Sequence, residues 1–113
     1  MISISTFRNL ALSFPGSSEQ PHFDLISFRV NKKIFATLNI DKQLVCLMLT
    51  EIAQSVFMAY DSSIIYPVPN KWGKKGATYV ELIKVRKLII KNGLTQAFQK
   101  ATLKTTVRSI KTN

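Results

Sequence analysis

Three short runs of strand-forming residues, joined by links too short to cross a sheet, constrain this chain more than any other feature. The runs are Ser27-Phe28-Arg29-Val30, then Lys33 to Leu38, then Gln43 to Leu49. Asn31-Lys32 connects the first pair and Asn39-Ile40-Asp41-Lys42 the second. β-Branched and aromatic residues suit a pleated, half-buried surface. Links this short reach only an antiparallel neighbour, because a parallel crossover needs about a dozen residues or more. An antiparallel meander is therefore the expected nucleus of the fold. Thr78-Tyr79-Val80-Glu81-Leu82 is a further strand by the same criteria.

Helical periodicity surrounds this nucleus. Ile4, Phe7, Leu10, Ala11 and Phe14 recur at three- and four-residue intervals, predicting a helix over Ser3–Phe14 that Ser3 or Ser5 caps and Pro15-Gly16 ends. Thr50 is a cap for a second helix, Thr50–Tyr60, with Glu51 at its positive dipole end and Ile52, Val56 and Tyr60 facing the sheet. A third helix is expected over Val85–Thr102, with Leu88, Leu94, Phe98 and Ala101 as its apolar set and Gly93 as a weak point. Residues 17–21 are polar and read as loop, and Tyr66 to Asn70 reads as extended loop stiffened by Pro67 and Pro69. The expected class is α+β, an antiparallel β-sheet meander packed against three helices. Residues 1–102 form one domain, and residues 103–113 a basic C-terminal tail.

A chain of 113 residues has room for one such domain, and 46% hydrophobic content supports a globular core. The longest apolar run, Leu44 to Leu49, is far too short to span a bilayer. No secretory signal is expected from Met1 to Arg8, which lack a charged region followed by an unbroken apolar stretch. Cys46 is the single cysteine, so no internal disulfide can form, and a cytoplasmic location is expected.

Two stretches resemble a known family. Pro21-His22-Phe23, Ser27-Phe28-Arg29-Val30 and Lys33-Ile34-Phe35-Ala36-Thr37-Leu38 make up the first. Tyr66-Pro67-Val68-Pro69, Trp72-Gly73-Lys74-Lys75-Gly76 and Thr78-Tyr79-Val80-Glu81-Leu82 make up the second. Together they resemble the signatures of MmcQ/YjbR-like proteins, from about Ile4 to Thr102. The resemblance implies a compact fold with an antiparallel sheet against helices, and a proposed double-wing architecture linked to DNA binding. The chain departs from that pattern at Ala77, where a second tryptophan is usual, and at Asp41-Lys42, where Asp-Gly often closes the hairpin.

Charge gives the functional direction. Residues 1–70 carry five basic and five acidic groups, whereas residues 71–113 carry eleven basic groups against Glu81 alone. The whole net charge of +10 thus sits in residues 71–113. Such asymmetry suits an acidic partner, whether nucleic acid, an anionic membrane surface or an acidic protein, while a solvated lysine-rich surface is the plain alternative. The candidate phosphate contacts are Lys71, Lys74 and Lys75, then Lys100, Lys104 and Arg108 on the last helix and tail, with Arg29, Lys32 and Lys33 as a wing on the first hairpin. In the Trp72 loop, two glycines admit an anion to the backbone and two lysines neutralise it, with Trp72 open to stacking. The structural alternative makes Trp72 a plug for the core, with Gly73 and Gly76 supplying positive-φ turns.

Catalytic and metal chemistry find little support. His22 is the only histidine, with no nucleophile or carboxylate placed to work with it, and it reads as a packed or surface residue. Cys46 lies in an apolar run and reads as core. Six scattered carboxylates form no catalytic pair, and one histidine with one cysteine makes no zinc set. The expectation is a non-enzymatic binding module without cofactor or metal. A small anionic ligand acted upon in a pocket near Trp72 and His22 is the third reading.

Overall fold

The computed structural model describes the backbone of residues 2–111 and the side chains of residues 2–102. Its sheet comprises β1 (Ser18–His22), β2 (Leu25–Val30), β3 (Lys33–Asn39), β4 (Leu44–Met48), β5 (Ile65–Pro67) and β6 (Ala77–Glu81). The strands lie in the order β1-β2-β3-β4-β6-β5, and every neighbouring pair is antiparallel. Helices α1 (Ile4–Leu12), α2 (Glu51–Met58), α3 (Lys71–Lys74) and α4 (Lys87–Lys111) complete the α+β fold.

The meander β2-β3-β4 and the partner strand β6 form where strand-forming residues and short links predict them. Both edge strands depart from the loop reading. β1 is Ser-Glu-Gln-Pro-His, with no apolar alternation, and it hydrogen-bonds on one side only. An edge tolerates Pro21, since a proline there leaves no central ladder bond unmade. β5 is three residues long and pairs only with β6, register Ile65↔Val80 to Pro67↔Thr78.

One face of the sheet carries the core. In β4, Val45 and Leu47 are buried, while Leu44, Cys46 and Met48 alternate to the opposite face and are half-buried. The register of β2 against β3 shifts between Phe28 and Arg29, so consecutive Phe35 and Ala36 are both fully buried. Phe7 meets Phe28 edge-on at 5.5 Å between ring centroids. Phe98 stacks on Phe14 at 4.7 Å and meets Phe35 edge-on at 5.6 Å, fastening α4 to β3 and to the end of α1. Gly93 is a point of close approach: a Cβ there would lie 2.7 Å from Leu47 Cδ1.

The two capped helices begin as their caps predict, since Ser3 Oγ accepts from Thr6 N and Thr50 Oγ1 from Ala53 N, both at 3.0 Å. The face of α2 is not the predicted one. Ile52, Val56 and Tyr60 are 80%, 56% and 59% exposed, and Gln54 and Phe57 are buried instead. The Gln54 carboxamide explains the rotation, donating to Gly73 O at 2.9 Å and to Ala77 O at 3.1 Å. Both carbonyls also accept from backbone, Gly73 O from Gly76 N at 3.1 Å and Ala77 O from Val68 N at 3.0 Å, so the inward rotation is what gives the buried Gln54 amide its own partners. In α4, Leu88 is 66% exposed, and the buried stripe is Ile90, Leu94 and Ala97. The helix starts at Lys87, two residues later than predicted, and Leu88 falls outside the stripe because six residues separate it from Leu94, about 240° around the helix. It continues to Lys111, past the expected boundary at Thr102. Among the described residues no helix is long and apolar enough to cross a membrane.

Candidate functional site

Antiparallel register determines which strand ends share a side of the molecule. Val30 pairs Lys33, Ala36 pairs Leu47, and Met48 pairs Ala77. The end of β2, the start of β3, the end of β4 and the start of β6 therefore lie together. The β2–β3 hairpin brings Arg29, Lys32 and Lys33 to this end, and α3, just before β6, brings Lys71, Lys74 and Lys75. Strands are spaced by about 4.8 Å, so the three steps from β2 to β6 separate the hairpin from α3 by about 14 Å. Phe98 on Phe35 carries α4 towards the same end, where Lys100 is exposed. The side chains of Lys104 and Arg108 lie outside the described residues.

The opposite end is mixed in charge, with Lys42, Lys84, Arg86 and Lys87 set among four carboxylates. Asp24, Asp41, Asp61 and Glu81 all lie in or beside the turns there. The Tyr66 hydroxyl donates to Glu81 Oε2 at 2.7 Å, which pushes the phenol up to about 12 and holds Glu81 below the usual carboxylate range, helped by Lys84 at 3.4 Å. Glu19 is engaged by Arg8 through two 2.8 Å hydrogen bonds. Chain position showed an excess of cations in residues 71–113; the fold places Lys71, Lys74 and Lys75 at the end that holds Arg29, Lys32 and Lys33, and Lys84, Arg86 and Lys87 at the other.

The α3 turn is anchored by backbone. Asn70 Oδ1 accepts from Trp72 N at 2.8 Å, and Leu49 N donates to Gly76 O at 3.2 Å. Gly76 has φ +113, as a positive-φ turn requires. Gly73 does not share it; its role is contact, since a Cβ there would lie 1.8 Å from Val68 O. With the glycines seated directly on neighbouring backbone, the turn needs no aromatic plug, and Trp72 is 54% exposed. This overturns the plug reading. Lys75 Nζ lies 5.7 Å from the centre of the Trp72 ring, a cation–π arrangement at an open site. Trp72 emission is expected to be red-shifted and readily quenched by acrylamide. Blue-shifted, protected emission would return Trp72 to the core.

The hairpin tip is strained. Asn31 has φ 50 and Lys32 φ 67, as a two-residue type I′ turn demands. Asparagine tolerates this region, but lysine pays a steric penalty of about 1–2 kcal/mol that glycine avoids. Lys32→Gly is expected to stabilise the fold by about 1 kcal/mol in urea denaturation. A loss of stability would mean that Lys32 makes contacts its exposure does not suggest.

Cys46 is not in the core. It lies on the face opposite the helices, and burial pushes its thiol up to about 11. Together with half-buried His22 and exposed Trp72 it lines a groove of about 380 Å³ on this uncovered face. Arg29 is held on the sheet by donation from Nε to Ser27 Oγ at 3.0 Å. Among the described residues no three His, Cys, Asp or Glu side chains gather as a metal set.

The fold has a solved counterpart. Protein DR2400 of Deinococcus radiodurans, which carries the domain DUF419, superposes with a TM-score of 0.77 at 18% identity, covering 90% of this chain and 80% of that one. At that identity the likeness establishes a shared fold. No family model and no curated protein matches the chain.

Proposed function

We propose that the chain is a divergent member of the MmcQ/YjbR-like family, to which DUF419 domains belong, and that it is a non-enzymatic module that binds nucleic acid without sequence preference. The observation that carries this reading is the register that gathers Arg29, Lys32, Lys33, Lys71, Lys74 and Lys75 at one end of the sheet. Two basic clusters about 14 Å apart match the scale of a major groove about 12 Å wide, with phosphates on both banks. The β2–β3 hairpin serves as a wing on one bank and α3 on the other. Lysine is a point charge without the planar fork that reads guanine, so these contacts neutralise phosphate and leave sequence unread. Lys100 extends the path on α4, and exposed Trp72 offers a stacking face to an unpaired base.

Fluorescence anisotropy with labelled duplexes of unrelated sequence tests this reading. Association is expected at low salt, nearly equal across sequences, and falling steeply as salt rises. No association with any duplex at low salt would refute it, and the same lysines would then be left for an acidic protein partner.

A further inference from the structure

The groove on the uncovered sheet face differs chemically from the basic end. It runs along β4 from Leu44 to Met48, about 13 Å at the rise of an extended strand. Its floor is Leu44, Cys46 and Met48, crossed by Thr37 and Tyr79, which pair with Cys46 in register. Trp72 stands at the Met48 end, and Lys42 at the Leu44 end is the one ionised side chain among the lining residues. Its ammonium makes no ion pair within the described residues. Glu81 lies near that end, but its carboxylate is taken up by Tyr66 and Lys84. Beside the groove, Phe23 is 95% exposed at φ 59 and touches His22 edge-on at 5.0 Å. The positive φ of Phe23 belongs to the two-residue turn between β1 and β2, but that turn does not need an aromatic side chain held in water.

We infer that this groove binds a small molecule joining an apolar chain or ring to a single carboxylate, its anion at Lys42 and its apolar body over Cys46 towards Trp72. The volume lies within the range of small-molecule sites, and an apolar lining with one placed charge is their usual composition. Nothing in this inference depends on nucleic-acid binding, and its readouts are separate.

The sole tryptophan and the sole cysteine both line the groove, so each reports its occupancy without a label. Decanoate, below its micelle concentration, is expected to change Trp72 emission saturably and to slow alkylation of Cys46 by iodoacetamide at pH 9. Octanoate, two methylenes shorter, is expected to bind about tenfold more weakly. Lys42→Ala is expected to weaken decanoate about threefold and to leave uncharged decanol unaffected, the scale of an exposed ion pair. Cys46→Phe fills the floor and is expected to abolish the Trp72 response; if that variant does not fold, the alkylation measurement on the natural protein decides. Unsaturable Trp72 response, unchanged Cys46 alkylation, or equal decanoate affinity in Lys42→Ala would each overturn the inference.

Discussion

Gly76→Ala is expected to lower stability by more than about 3 kcal/mol, enough to unfold much of the protein if its total lies near the usual lower bound of about 5 kcal/mol. Two effects add. Gly76 has φ +113, a conformation that L side chains rarely adopt. A Cβ there would also lie 1.9 Å from Leu49 O and 2.8 Å from Leu49 C, and these are backbone atoms that no rotamer change can move aside. Relief requires withdrawing the α3 turn from the end of β4, which breaks the Leu49 N to Gly76 O hydrogen bond at 3.2 Å. Urea denaturation gives the midpoint and slope together. A loss below about 1 kcal/mol would show that the turn moves freely, and Lys71, Lys74 and Lys75 would then lack the fixed platform that the basic end requires.

Phe35→Ala is expected to cost about 3–5 kcal/mol. Phe35 is fully buried and meets Phe14 at 6.1 Å and Phe98 at 5.6 Å, both edge-on. Each such pair contributes about 0.5–1.5 kcal/mol beyond its buried area, and the void left behind is bordered by three separate elements that cannot all collapse into it. Phe98 is the link that carries α4 towards the basic end, so amide exchange should quicken in α4 and in the last turn of α1 before it does in β4 and β6. A shift of only a degree or two in melting temperature would show that the β3 bulge tolerates alanine and that Phe35 is not the anchor.

The parts of this fold legible in the sequence are those where local chemistry and tertiary packing agree. The meander followed from short links at Asn31-Lys32 and Asn39 to Lys42, and the helix starts from Ser3 and Thr50, because a turn or a cap is a local decision. The edge strands β1 and β5 were not legible. β1 pairs with β2 across a two-residue turn, but its polar sequence carries no apolar alternation to announce a strand, and β5 is only three residues long. Periodicity misdirected α2, since Ile52, Val56 and Tyr60 form a regular stripe but the buried hydrogen bonds of Gln54 set the rotation. A glutamine between two apolar faces was the one available signal.

The candidate site divides in the same way. Charge counting located the cations of residues 71–113 but could not bring Arg29, Lys32 and Lys33 to them, because that convergence is a property of strand register. Trp72 was misjudged because its size argues for burial, whereas Gly73 and Gly76 had already closed the turn by backbone contact. Cys46 sits in an unbroken apolar run, in which alternation between the two sheet faces cannot be seen by hydropathy alone.

The central claim is that the basic end, and not the net charge of +10 as such, binds nucleic acid. Two variants that each remove four cations separate the two. One neutralises Lys32, Lys33, Lys74 and Lys75 at the basic end; the other neutralises Lys42, Arg86, Lys87 and Lys91 at the β3–β4 turn and the start of α4. With both melting curves confirmed as unchanged, the measurement is the slope of log affinity against log salt for one B-form duplex. The basic-end variant should lose up to about 3.6 from the magnitude of that slope, about 0.9 for each phosphate contact removed, while the other variant keeps the natural slope. Equal losses in the two variants would contradict the account, reducing the attraction to overall charge.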